Sequence, residues 1–101
     1  MRILIDRLWP RGVKKEVAHI DQWLKDIAPS TDLRKWFNHD PHKWEEFQAK
    51  YLLELNHNDR VKELLDMIKE SECVTLIYAA HDEQHNHALV LMEFLANTAK
   101  A

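Results

Sequence analysis

Arg2-Ile3-Leu4-Ile5-Asp6-Arg7-Leu8-Trp9-Pro10-Arg11-Gly12 passes from a hydrophobic run through charge to a turn, and the fold is decided by that passage. Ile3, Leu4 and Ile5 are apolar on both alternating faces, which suits a strand covered on both sides in an α/β protein. Asp6 and Arg7 break the run. Successive strand residues point to opposite faces, so Asp6 and Arg7 do not share one, whereas Arg7 and Trp9 do. Trp9-Pro10-Arg11-Gly12 puts proline at the second position of a type I turn and glycine at the fourth. Gly12 is the only glycine in the chain, which points to a positive φ or a close backbone approach at this place. Open α/β sheets take ligands beyond the carboxyl ends of their strands. Here that end carries Asp6, Arg7, Trp9 and Arg11, a set suited to an anion or phosphate. The structural alternative pairs Arg7 and Arg11 with Asp6, Glu16 or Asp21 and makes Trp9 a plug at the end of the core.

Outward from this stretch, Val13 to His19 is a polar connection. Ile20, Trp23, Leu24 and Ile27 then have the spacing of an amphipathic helix, ended by Ala28-Pro29. Ser30 or Thr31 caps a short helix burying Leu33, Trp36 and Phe37. Asp40-Pro41 opens a third, with Trp44, Phe47, Tyr51 and Leu55 on one stripe; these aromatics read as core. After the break at Asn56-His57-Asn58, Val61, Leu64, Leu65 and Ile68 mark a fourth helix, closed by Ser71-Glu72. Cys73 to Ala80 reads as a second strand buried on both faces. Ala88 to Ala96 is a fifth helix, apolar nearly all round, of the kind that packs between layers.

Strand, helices, strand, helix is the order of a right-handed crossover, which predicts parallel strands with helices on both faces. The expectation is an α/β fold: a small parallel sheet with about five helices in a single three-layer domain over residues 1–101. A two-stranded sheet is marginal alone, so a further strand or a partner chain, such as a second copy in a homodimer, has to complete it.

With 101 residues, 46% apolar and 31% charged, the composition is that of an ordinary globular domain. No run approaches the roughly 20 apolar residues of a membrane span and no signal-peptide pattern opens the chain, which makes the cytoplasm the default location. A net charge of −3 argues against a general nucleic-acid coat, although Arg7, Arg11, Lys14 and Lys15 form a local positive patch beside Trp9. The lone cysteine, Cys73, excludes an internal disulfide and reads as a small buried hydrophobe. A lone glycine excludes the P-loop, GxGxxG and GxSxG signatures.

Parallel strands would bring Asp6, Arg7, Trp9 and Arg11 beside Asp82, His85 and Asn86, the expected cap and first turn of the last helix. A helix N-terminus next to arginines suits an anion. His85 is the candidate acid or base, Asp6 or Asp82 the group orienting it, and Asn86 an amide donor. Against this, Asp82 serves equally as a plain cap and Asn86 as a side-chain to backbone bridge. His81, Asp82, His85 and His87 invite a metal reading. With Asp82 as cap, however, His81 falls outside the helix and His87 points away from His85, so neither metal nor cofactor is expected.

Asp6-Arg7-Leu8-Trp9-Pro10-Arg11-Gly12, Ala28-Pro29-Ser30-Thr31 with Leu33-Arg34, and Thr75-Leu76-Ile77-Tyr78-Ala79-Ala80 leading to Asn86-His87-Ala88 closely resemble the YeaO-like family of bacterial proteins, a DUF488-type domain of unknown function. The resemblance covers nearly the whole chain, and the LWPRG turn is its most specific motif. It implies no activity, substrate or cofactor, but it adds Arg34 to the site through the family's Pro-Ser-Thr-x-Leu-Arg pattern. The usual members are longer at the N-terminus, with an extra apolar segment ahead of the first strand. This chain starts at Met1, directly on that strand.

Three functions are expected in descending order. The first is binding of an anionic, phosphate-bearing small molecule by Arg7, Arg11, Arg34 and the Gly12 turn with Trp9 as a stacking wall, with acid–base chemistry at His85 left open. The second is nucleic-acid binding through the basic Trp9 turn, and the third is a dimerisation or protein-interaction module.

Overall fold

The computed structural model describes residues 1–79, 82 and 84–99. Its sheet has three short parallel strands in the order β2-β1-β3, with β1 at Arg2–Leu4, β2 at Gln22–Trp23 and β3 at Thr75–Ile77. The opening stretch is the central strand: Ile3 lies between Gln22 and Leu76, and Leu4 between Trp23 and Ile77. Ile3, Leu4 and Ile5 are all completely buried, as a run apolar on both faces requires of a sheet covered on both sides. Around the sheet stand four helices of seven residues or more, α1 Thr31–Phe37, α2 Trp44–Asn56, α3 Arg60–Glu70 and α4 His87–Ala99, together with a single helical turn at Lys15–Ala18. The fold is α/β, with four substantial helices where five were expected.

The missing helix is the one over Ile20 to Ile27, and its place is taken by β2 followed by a 3-10 turn at Lys25–Ile27. Asp21 explains the difference. Its carboxylate accepts from the Arg2 N–H at 2.7 Å and its own N–H donates to the Arg2 carbonyl at 2.8 Å, which clamps the segment beside β1. Leu24 and Ile27 are still buried, because a short extended stretch followed by a 3-10 turn delivers both side chains to the core as well as a helix would. This segment is the third strand that a two-stranded sheet lacked.

At the other edge the sequence overstated burial. Thr75 is exposed and Leu76 and Ile77 are half-buried, since β3 has a neighbour on one side only. Cys73, just ahead of it on that edge, is exposed rather than buried. Ala80, the expected end of the strand, lies outside the described residues. In α4, Val90, Leu91 and Leu95 are buried while Leu89 and Met92 are 41% and 57% exposed, so one face looks outward instead of the helix lying between layers.

Short polar signals fix the helix starts. Ser30 Oγ accepts from the Leu33 N–H at 3.1 Å and donates to Glu54 of α2 at 2.6 Å, which caps α1 and ties the two helices together. Asp40 accepts from the His42 N–H at 3.0 Å ahead of α2. Phe37 and Phe47 stack at 4.3 Å between ring centroids, and the fully buried Tyr51 donates its hydroxyl to the Ile27 carbonyl at 2.8 Å. Among the described residues no helix is long and apolar enough to cross a membrane.

Candidate functional site

Beyond the carboxyl ends of β1 and β3 lies a cleft of about 270 Å³, where an α/β topology directs a ligand. Its floor is polar, with Asn86 buried and Asp6 and His87 half-buried. Asp6, next but one after β1, accepts from the Ala79 N–H at 2.8 Å through Oδ2, while Oδ1 stands 3.2 Å from His87 Nε2. His87 Nε2 is also 3.1 Å from the Ile5 carbonyl oxygen. Both neighbours of Nε2 are acceptors, so this nitrogen carries the proton, and in the neutral ring Nδ1 is then an acceptor. The side chains of His87 and Asp6 are only 15% and 17% exposed.

The walls come from the turn after β1 and from the helices. Arg7 Nε and Nη2 donate to the Pro29 and Ala28 carbonyls at 3.1 and 3.2 Å, and Nη1 is 3.7 Å from Asp26. Arg7 thus borders the cleft with its guanidinium largely engaged. The Trp9 indole N–H donates to the Val13 carbonyl at 2.6 Å, and its ring meets that of Trp23 edge to face at 5.5 Å. The Trp23 N–H donates in turn to the Asp6 carbonyl at 2.7 Å, tying β2 to the start of the turn. Leu8, Pro10, Pro29, Phe37 and Phe47 add apolar surface, and Arg34 and His39 stand at the exposed rim. Neither Arg34 nor His39 has a side-chain hydrogen bond or ion pair among the described residues. His39 reaches its place because Asn38 and His39 both take positive φ, 46° and 56°, where α1 ends. Such backbone is uncommon for non-glycine residues and concentrates at functional sites.

The sequence-predicted residues divide into two groups. Asp6, Arg7, Trp9, Arg34 and Asn86 all border the cleft; Arg11, Gly12, Asp82 and His85 do not. Arg11 and Gly12 are exposed on the turn. That turn runs one residue later than expected: Val13 N–H donates to the Pro10 carbonyl at 3.4 Å, which places Gly12 third, with φ +73°. This is the position where a type II turn needs positive φ.

Asp82 and His85 form a separate local unit. Asp82 accepts from the Gln84 and His85 N–H groups at 2.9 and 3.0 Å and from His85 Nδ1 at 2.9 Å, and the His85 ring meets Trp44 edge to face. The Gln84 N–H, followed by the His85 side chain, holds the Asp82 carboxyl below its ordinary range. Asn86 is 2% exposed with both polar atoms of its amide engaged, Nδ2 donating to the Asp82 carbonyl at 2.9 Å and Oδ1 accepting from the Leu89 N–H at 3.2 Å as the cap of α4. His81 of the suggested metal cluster lies outside the described residues. Among those described no group of three ligating side chains forms.

His87 and His39 were not singled out for the cleft by sequence. The signal for His87 was its place directly after Asn86. With the cap at Asn86 rather than Asp82, the first helical residue at the carboxyl end of the sheet is His87. What the cleft offers chemically is an oriented Asp–His pair under apolar walls and a cationic rim. No serine, threonine, cysteine, lysine or tyrosine is among the described residues lining it.

A family model described as the inactive DUF488-N3 subclade matches residues 1–101. The chain belongs to that subclade. It is 46% identical over 95 residues to the uncharacterized protein YeaO of Escherichia coli K12, covering 93% of this chain and 82% of YeaO. Over 94 residues it is 37% identical to the uncharacterized proteins Mb3100c of Mycobacterium bovis and Rv3073c of Mycobacterium tuberculosis H37Rv, covering 93% of this chain and 79% of each. No solved structure matches it. In this DUF488-N3 chain the motif residues that carried the family resemblance surround the cleft on two sides, Asp6 to Pro10 on one and Ala28, Pro29 and Arg34 on the other.

Proposed function

We propose that this DUF488-N3 protein binds a small molecule carrying a phosphate or carboxylate, in the cleft beyond β1 and β3, and holds it without transforming it. The observation that carries this is Arg34: an exposed guanidinium at the rim of a cleft with apolar walls, a rim that His39 shares, and without an acidic partner among the described residues. Arginine offers a planar, bidentate set of donors to such an anion. Arg7 contributes a second positive charge to the wall, attenuated by the carbonyls it serves and by Asp26. Binding without turnover agrees with the subclade's description and with an Asp–His pair that has no nucleophile beside it among the described lining residues.

The test is a thermal-shift series with inorganic phosphate, phenyl phosphate and nucleoside monophosphates on the native chain and on Arg34→Ala. Arg34 is exposed, so its removal leaves the fold standing. A ligand at a hundred times its Kd adds about 2.7 kcal/mol, or roughly ten degrees or more in the midpoint of a domain this small. The shift is expected in the native chain and is lost in Arg34→Ala. No shift with any anion refutes the proposal.

A second reading, single-stranded nucleic acid, is supported by Lys15 and Lys25 lying 6.0 and 5.7 Å from the ring centroids of Trp9 and Trp23, with Arg11 and Lys14 exposed nearby. It requires affinity for an oligonucleotide that falls steeply with salt. Affinity flat between low and moderate salt removes it.

A further inference from the structure

We infer that the bound anion carries a flat ring with a hydrogen-bond donor, the chemistry of a nucleoside monophosphate, and that His87 Nδ1 receives this donor; the inference rests on the anion-binding reading above. The floor of the cleft has an unusual polarity. The Asp6 carboxylate serves the Ala79 N–H and His87 Nε2, both polar atoms of the Asn86 amide are engaged, and Arg7 serves two carbonyls. Among the described residues His87, which lines the cleft, has a hydrogen-bond partner for Nε2 and none for Nδ1, and Nδ1 is not closed off from solvent. With the ring neutral, two acceptors facing Nε2 make Nδ1 an acceptor too. A ligand that reaches the floor must therefore bring a donor, because covering an acceptor with an apolar group removes its water without replacement.

The rest of the cleft restricts what can carry that donor. Trp9, Pro29, Phe37 and Phe47 give it apolar and largely aromatic walls, and the Trp9 N–H is already committed to the Val13 carbonyl, so Trp9 offers only its ring. About 270 Å³ accommodates a small molecule. The half-buried His87 and the exposed Arg34 and His39 at the rim place the donor inward and the anion outward. A nucleobase stacked against Trp9, with a base N–H toward His87 and its phosphate toward Arg34, meets all three demands; an aliphatic phosphate meets only the last.

Calorimetric titration of the native chain with AMP, GMP, CMP, UMP and phenyl phosphate tests this. The tightest nucleotide is then compared with its analogue in which the base N–H donors are methylated, and the same pair is titrated into His87→Phe. At least one nucleotide is expected to bind roughly fivefold or more tightly than phenyl phosphate and than its methylated analogue, and the second difference is expected to vanish in His87→Phe. The ligand comparison on the native chain stands even if His87→Phe fails to fold. Phenyl phosphate binding as tightly as every nucleotide, or a methylated base binding as well as its parent, overturns the inference and leaves the anion reading intact. Absence of binding by all five overturns both.

Discussion

Replacing Asp6 separates the two halves of the floor and tests the proton placement on which the ligand chemistry depends. Asp6→Ala deletes the acceptor of the Ala79 N–H at 2.8 Å and one of the two acceptors facing His87 Nε2. Hydrogen bonds to a charged group contribute about 1.5 to 3 kcal/mol each. His87 keeps the Ile5 carbonyl at 3.1 Å, so a total loss of about 2 to 3 kcal/mol is expected, or a midpoint lower by roughly 10 to 20 degrees. Asp6→Asn is the sharper variant. Its oxygen can still accept from Ala79, but its NH₂ group then faces a protonated Nε2, donor against donor. Turning the histidine to its other tautomer relieves that clash only by setting a bare Nε2 against the Ile5 carbonyl. Asparagine is therefore expected to recover less than half of the lost stability in urea unfolding followed by circular dichroism. Long-range ¹⁵N–¹H correlation spectra of the native chain at neutral pH should show His87 as the Nε2–H tautomer. Full stability in Asp6→Asn, or a Nδ1–H tautomer, refutes the reasoning and the donor-bearing ligand with it.

Three further outcomes follow from the geometry. Tyr51→Phe leaves the buried Ile27 carbonyl without its 2.8 Å partner and should cost about 1 to 2 kcal/mol near neutral pH. Burial, then the nearby Glu54, pushes the Tyr51 hydroxyl far above its ordinary 10.0. That contribution is fully present below about pH 10 and is lost as pH rises beyond it, when only the unfolded tyrosine ionises, so denaturant midpoints of Tyr51→Phe should fall less between pH 9 and 11 than those of the native chain. Asp82 shows the opposite sign: its lowered carboxyl stabilises the fold above its ordinary 3.8 and loses that effect as pH falls through its folded value. Melting curves of Asp82→Asn between about pH 5 and pH 2 should therefore be flatter than native. At Gly12 a Cβ would meet no atom within 4 Å while φ is +73°, so Gly12→Ala should cost only the backbone term of about 1 kcal/mol, and a loss above about 2 kcal/mol in the same assay would reveal a packing role.

The fold was legible where a single pattern had a single solution. Ile3-Leu4-Ile5 could be buried on both faces only at the centre of a covered sheet, and the structure places it there. The stripe Trp44, Phe47, Tyr51 and Leu55 is long enough to distinguish helix from strand, and it lies on α2. Ile20 to Ile27 was too short for that distinction. Four apolar residues fit either path, and the deciding contact is Asp21 to Arg2, a pairing across nineteen residues that no local period reveals. The exposure of Cys73 and the half-burial of β3 share a cause, since composition marks a strand but not whether it has one neighbour or two.

The lining of the cleft was legible at the level of the sheet's carboxyl end, and where it departs from expectation the cause is a small displacement along the chain. Asp6, Arg7, Trp9 and Asn86 lie where strand direction put them. His87 rather than His85 borders the cleft because two acceptors, Asp82 and Asn86, compete to start the last helix, and each choice turns a different ring toward the sheet. Asp82 instead closes a turn on Gln84 and His85, which leaves Asn86 to accept from Leu89 and His87 to open α4 beneath Asp6. Arg34 borders the cleft and Arg11 does not for a similar reason. The turn shifted by one residue to put Gly12 at positive φ, which leaves Arg11 exposed and outside the cleft, whereas α1, anchored through Ser30 to Glu54, carries Arg34 to the rim. A local sequence pattern therefore locates the end of the sheet, and the caps of two helices select which histidine and which arginine occupy it.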